Sequence, residues 1–228
     1  MNKENNKTEN KNLAVGEVIT KTEIFIERNK KLLSIIAIAI VLIVGGWLAY
    51  YNFVAIPKEK NAAADLFPIQ HYFGTKDYDK VLNGDGKHMG AIAFIDTYGS
   101  GKSSNLAKYY AGVAYVNKKD FQKALDYLED AKFNDLLLAP IAKMLIGDCY
   151  AELKQNDKAI KYYEQSATYD NDMTSPAALM KLGSLYQMNK EYEKALDAFK
   201  KIKQDYPRSM EYQEVEKYIS QTEALLNK

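Results

Sequence analysis

Three hydrophobic patterns follow one another along this chain. Residues 1–20 (MNKENNKTENKNLAVGEVIT) are rich in Asn, Lys and Glu and offer little to bury, which predicts disorder. From Leu32 to Ile56 the chain runs LLSIIAIAIVLIVGGWLAYYNFVAI without a charged residue. From about residue 105 onward, apolar residues recur at three-four spacing opposite charges, as in DFQKALDYLEDAKF and EYEKALDAFKKI. That period predicts amphipathic helices packed on one face.

The apolar run is long enough to cross a bilayer. At about 1.5 Å per residue it reaches roughly 37 Å, beyond the ~30 Å hydrocarbon core of a bilayer. Trp47, Tyr50 and Tyr51 collect near its C-terminal end, where interfacial aromatics belong, and Gly45 and Gly46 suit a membrane span better than a soluble helix. A cleaved signal peptide is the competing reading, with Ala62–Ala64 as a cleavage region, but a signal peptide's apolar core is about 7–15 residues. An uncleaved anchor over 32–56 is therefore expected. Arg28, Lys30 and Lys31 precede it and Lys58 and Lys60 follow it. This bias predicts a cytoplasmic tail over 1–31 and residues 58–228 outside the cytoplasmic membrane.

The helical region repeats. Gly112, Gly147 and Gly183 are each followed after three residues by Tyr115, Tyr150 and Tyr186. Twelve residues after each glycine stand Ala124, Ala159 and Ala195, and sixteen after stand Leu128, Tyr163 and Phe199. Pro207 falls where the third unit closes. A small residue on each of two facing helices lets them approach closely, with a tyrosine and a large apolar side chain filling the space beside them. This pattern resembles the tetratricopeptide-repeat (TPR) family over about residues 105–207. The expected fold class is all-α: a solenoid of TPR helical hairpins with one N-terminal transmembrane helix. Three units would occupy 105–208 and a capping helix 209–228, with Met210, Val215, Tyr218, Ile219 and Leu225 covering the last unit. Asp120 reads as the N-cap of its unit's second helix. Lys119, Lys154 and Lys190 stand at turns where the family usually has glycine, and Lys108 and Lys143 where it has a large apolar residue. Residues 57–104 hold a degenerate unit in which Tyr72, Asp77, Tyr78 and Val81 fit the spacing. Pro68 is expected to interrupt its first helix and Asn83-Gly84-Asp85-Gly86 its second, before a further helix from about His88 to Thr97.

Composition narrows the function. Residues 58–228 hold 24 basic against 25 acidic residues, so no basic field for nucleic acid exists. Cys149 is the only cysteine and falls inside a repeat helix, which reads as core packing and leaves no internal disulfide. His71 and His88 are the only histidines and lack metal-ligand spacing. Gly101-Lys102-Ser103 imitates the end of a phosphate-binding loop, yet position 96, where the loop's first glycine belongs, is Asp. Asn83-Gly84-Asp85-Gly86 and Asp170-Asn171-Asp172 are fragments of calcium loops and read as turns. Neither an enzyme nor a cofactor or metal is expected.

The TPR resemblance implies a concave protein-binding face on the first helices, carried by Leu106, Tyr109, Val113, Val116, Met144, Asp148, Met180, Ser184 and Gln187. The same residues could instead pack on the cap or on the degenerate unit. The whole layout resembles the family of YfgM-type ancillary subunits of the bacterial Sec translocon. That resemblance implies a single-pass inner-membrane protein with periplasmic repeats. Its partners would be SecYEG, a periplasmic prolyl isomerase or chaperone, and unfolded exported chains. The alternative is a structural organiser of cell-envelope or division complexes.

Overall fold

A computed structural model describes the backbone of residues 3–227 and the side chains of residues 23–227. The chain divides into two compact units, Met1–Pro57 and Lys58–Lys228.

The first unit is helical. Helix α1 spans Lys3–Tyr50, and a π-helical turn, Tyr51–Ala55, follows it. The helical stretch Glu23–Gly74 contains a segment long and apolar enough to cross a membrane. The side chains of Ile38, Val41, Ile43 and Trp47 on it are exposed, as a segment with no protein partner in its own unit must leave them. The π turn has a local cause. Pro57 has no N–H to return to the Phe53 carbonyl, and the Ile56 N–H reaches back to Tyr51, one residue beyond the α-helical partner. Helix also covers most of the 1–20 stretch whose composition predicts disorder. Extending an existing helix avoids the nucleation step that makes short isolated helices unstable, and no proline stands in that stretch to stop it.

The second unit is built from helical pairs. Helix α2 (Ile56–Gly74) and the short α3 (Tyr78–Asn83) form the degenerate pair, and α4 (Ala91–Tyr98) follows. Three regular hairpins come next: α5 (Lys102–Asn117) with α6 (Phe121–Leu128), α7 (Leu138–Glu152) with α8 (Asn156–Ala167), and α9 (Ser175–Met188) with α10 (Tyr192–Asp205). Helix α11 (Glu211–Leu226) packs on α9 and α10. No strand occurs among the described residues; a single bridge joins Gly84 to Met89.

Three expectations need correction. Pro68 lies inside α2 without interrupting it. The carbonyl that loses its partner belongs to Ala64, which is exposed, so water can take the missing bond. The helix expected over His88–Thr97 is Ala91–Tyr98, because His88 and Lys87 donate their backbone N–H groups to the Asp85 carboxylate and hold a turn instead. Met210 does not cover the last unit: it is 85 % exposed just before α11 begins, while Val215 and Ile219 are buried and Tyr218 packs on Phe199.

The hairpins obey the spacing rule. A Cβ on Gly112 would stand 2.5 Å from Leu128 Cγ, on Gly147 2.6 Å from Tyr163 Cε1, and on Gly183 2.5 Å from Phe199 Cε1. Each glycine therefore exists because the residue sixteen positions later occupies its side-chain space. Ala124, Ala159 and Ala195 are fully buried opposite.

The turns repeat as closely as the helices. Lys119, Lys154 and Lys190 adopt φ of 60°, 60° and 64°, and Lys76 in the degenerate pair adopts 59°. The next residue's N–H then returns to a tyrosine carbonyl: Asp77 to Tyr72, Asp120 to Tyr115, Gln155 to Tyr150 and Glu191 to Tyr186. This closes each first helix with a Schellman-type bond. Asp77 and Asp120 also cap the second helix by accepting from the Lys80 and Lys123 N–H groups. At the third residue of that helix, Lys80, Lys123, Lys158 and Lys194 lie 4.9–5.5 Å over the rings of Tyr72, Tyr115, Tyr150 and Tyr186.

Candidate protein-binding surface

The nine residues expected to carry binding all lie on α5, α7 and α9 and are all half-buried, neither core nor free surface. Met180 and Ser184 share one shallow depression of about 240 Å3 with Tyr163, Lys181, Leu185 and Met188. Leu106 lies in another, of about 450 Å3, with Lys102, Asn105, Lys132, Phe133 and Leu138. Tyr109 stands between Phe73 and Phe133, its ring centroid 6.4 Å and 6.0 Å from theirs, and burial pushes its hydroxyl pKa up. Val113, Val116 and Met144 complete the row.

The polar members are engaged within the chain. Asp148 accepts from the Tyr163 hydroxyl at 2.8 Å and pairs with Lys181 at 2.9 Å. Ser184 donates to the Met180 carbonyl. Gln187 donates to Thr222 of α11 at 3.3 Å, so the cap reaches one end of the row. What the row leaves open is apolar. Met188, absent from the expected set, is the most exposed side chain of the α9 depression; it follows Gln187 directly and its helical position would have revealed it. Phe133 lies in the loop between α6 and α7, where no periodicity exists to mark it.

Successive units are tied by tyrosine–carboxylate bonds. Glu129 accepts from Tyr150 at 2.7 Å and from Tyr162 at 2.9 Å, Glu164 from Tyr186 at 3.0 Å, and Asp170 from Tyr206 at 2.7 Å. Burial first, and the neighbouring carboxylate second, raise the pKa of Tyr162, Tyr186 and Tyr206 to about 12 and that of Tyr150 further. Cys149 is fully buried and its thiol is pushed up to about 12 by that burial, so thiolate chemistry is disfavoured. Lys108 and Lys143, at positions where apolar residues were expected, reach Asp130 and Gln165 with their ammonium groups.

The segments that imitate ligand loops serve the fold. The Glu59 carboxylate accepts from the Ser103 N–H at 2.7 Å and thereby occupies the N-terminus of α5, where a phosphate-binding loop would hold its anion. The Ser104 hydroxyl donates to the Gly99 carbonyl. Asp85 accepts from Tyr72, Lys87 and His88, which holds its carboxyl well below the usual range, with the tyrosine bond as the main cause. Asn171 accepts from Met173 and Thr174.

Stacked helical hairpins with small-residue contacts and a half-buried first-helix row define a helical-repeat interaction scaffold. Family models described as tetratricopeptide repeat match residues 111–176 and 177–209, so the α5–α10 region is made of TPR repeats. No curated protein matches the chain by sequence. Among solved structures, a crystal structure of MamA protein superposes with a TM-score of 0.54 at 13 % identity, covering 74 % of this chain and 90 % of that one. A second MamA crystal structure gives 0.51 at 15 % identity, covering 70 % and 94 %. At these identities the likeness is one of fold.

Proposed function

We propose that this chain is a membrane-anchored, non-enzymatic protein-binding scaffold. In the finer form of this reading, the helix over 32–56 crosses the bacterial inner membrane with the N-terminus in the cytoplasm, and the repeats stand in the periplasm. There they assist exported proteins beside the translocon, as the YfgM-type layout implies, with SecYEG, a periplasmic prolyl isomerase or chaperone and unfolded exported chains as partners. The observation that carries the reading is the union of TPR repeats with a single apolar helix long enough to span a bilayer. Tethering raises the local concentration of a weak binding face where clients emerge.

The test is a photo-crosslinking amino acid at Met188 in native membranes, with the captured proteins identified by mass spectrometry. Translocon subunits, envelope chaperones or nascent exported chains support the reading. Capture of the chain's own copies alone rejects the client role and favours an envelope organiser. Release of the chain from membranes by alkaline extraction rejects the anchor.

A further inference from the structure

The two edges of the repeat unit differ. At one edge lie the turns within hairpins, 75–77, 118–120, 153–155 and 189–191, and their exposed side chains include Lys76, Lys118, Lys119, Lys154 and Lys190. At the other edge lie the connections between hairpins. There Leu136 is 70 % exposed, Met173 71 % and Met210 85 %, with Leu137 and Tyr212 beside them. Within the second unit these five make up most of the large apolar side chains left in solvent among the described residues; the others are Phe67, Met188 and Leu226. Hydrogen bonds tie this edge into a continuous row: Asn105 to Lys132, Asn171 to Leu136, and Tyr206 to Asp170.

The same edge receives the chain from the apolar segment. Glu59 is pinned to the start of α5 by the Ser103 N–H, and only Pro57 and Lys58 separate it from Ile56, the last residue of the uncharged run. We infer that the edge formed by Leu136, Met173 and Met210 docks on the lipid interface of the membrane that holds the apolar helix. This inference rests on the anchor in the proposed function. Two arguments select lipid over a protein partner. The tether is short: only Pro57 and Lys58 lie in sequence between the uncharged run and Glu59. The apolar side chains are single knobs on separate loops, which suit a fluid interface better than a helix or strand.

The test uses the full chain reconstituted in vesicles of phosphatidylethanolamine and phosphatidylglycerol. A nitrobenzoxadiazole label is placed, one at a time, at Leu136→Cys, Met173→Cys and Met210→Cys in a Cys149→Ala background, with Lys119→Cys and Lys190→Cys as opposite-edge controls. Brominated lipid should quench the three knob labels at least twofold more than the controls, and aqueous iodide should quench them correspondingly less. Knob and control labels equally open to iodide, on a chain that floats with the vesicles, would overturn the docking while leaving the anchor standing. A chain that does not float overturns both. Knob labels shielded from iodide, insensitive to brominated lipid and dependent on protein density would overturn the lipid assignment in favour of a second copy of this chain. A Leu136→Asp, Met173→Asp, Met210→Asp chain labelled at a native-like control site should still float, separating docking from insertion.

Discussion

Adding a single methyl group at Gly183 tests the packing logic of the repeats, because its sign depends on the residue opposite. Alanine improves intrinsic helix propensity over glycine by about 1 kcal/mol. Here its Cβ would lie 2.5 Å from Phe199 Cε1 and 2.8 Å from Cδ1 and Cζ. The ring cannot retreat easily: Phe199 is fully buried and Tyr218 stands against it at 5.4 Å between centroids. Overpacking of this kind costs about 1–3 kcal/mol, so Gly183→Ala should be net destabilising by up to about 2 kcal/mol. Phe199→Ala alone should cost about 3–5 kcal/mol. In that background the methyl enters vacated space, and Gly183→Ala should stabilise by about 1 kcal/mol. The coupling energy is then about 1–3 kcal/mol, inside the range for residues in contact. Urea unfolding of the full chain in mild detergent measures it, followed by helical and tyrosine circular dichroism because Trp47 lies outside the repeats. Midpoints should shift without a change of slope. If Phe199→Ala is too unstable, Phe199→Leu keeps the cycle closed with a smaller reversal. A Gly183→Ala chain more stable than the parent in both backgrounds would refute the close-approach account.

Three further outcomes follow from the same structure. Replacing Lys119, Lys154 or Lys190 by glycine relieves about 1–2 kcal/mol of left-handed strain against about 0.5–1 kcal/mol of extra chain entropy. Each should therefore raise stability by about 0.5–1 kcal/mol in thermal unfolding, and the three should add because they stand in separate turns. Tyr162, Tyr186 and Tyr206 have folded pKa values raised to about 12 from 10.0. Their contribution is complete below pH 10.0 and lost as pH rises toward 12, so alkaline unfolding should accompany late tyrosinate absorbance, and the opposite slope would contradict the tyrosine–carboxylate ties. Glu59→Ala should cost about 1 kcal/mol by uncapping α5 and speed hydrogen exchange at Ser103, while millimolar ATP should protect that amide in neither protein.

Legibility followed the range of the interaction. The Gly112–Leu128, Gly147–Tyr163 and Gly183–Phe199 contacts were readable because a hairpin places residues sixteen apart in register, and three copies expose the rule. The lysine over each tyrosine ring was equally regular, eight residues downstream at Lys80, Lys123, Lys158 and Lys194, but a surface lysine attracts no attention without knowledge of where the turn points it. Pro68 misled because sequence gives the lost hydrogen bond and not which side of the helix loses it. The bond from Ser103 to Glu59 joins residues 44 apart in a non-repeating segment, and no periodicity announces it. For the candidate surface, residue positions were readable, while their engagement by Tyr163, Lys181 and Thr222 depended on neighbouring units.

That engagement bears on what the surface can recognise. A groove that discriminates between clients needs polar groups left to be satisfied by the right partner and stranded by the wrong one. Along α5, α7 and α9 the polar positions already have partners within the chain: Asp148 serves Tyr163 and Lys181, Ser184 serves its own helix, and Gln187 serves the cap. A client would have to displace these bonds to read them. The contacts available without displacement are those of Leu106, Val113, Met144, Met180 and Met188, and methionine side chains adapt to varied apolar shapes. In the proposed scaffold such a face would bind many apolar segments weakly and none with high discrimination. Weak, broad binding is of use only where clients are concentrated, and in the proposed function a tether to a membrane that exported chains cross would supply that concentration. The chemistry of the groove and the apolar helix thus call for each other in the proposed scaffold, since either alone would give a binding module with little to hold.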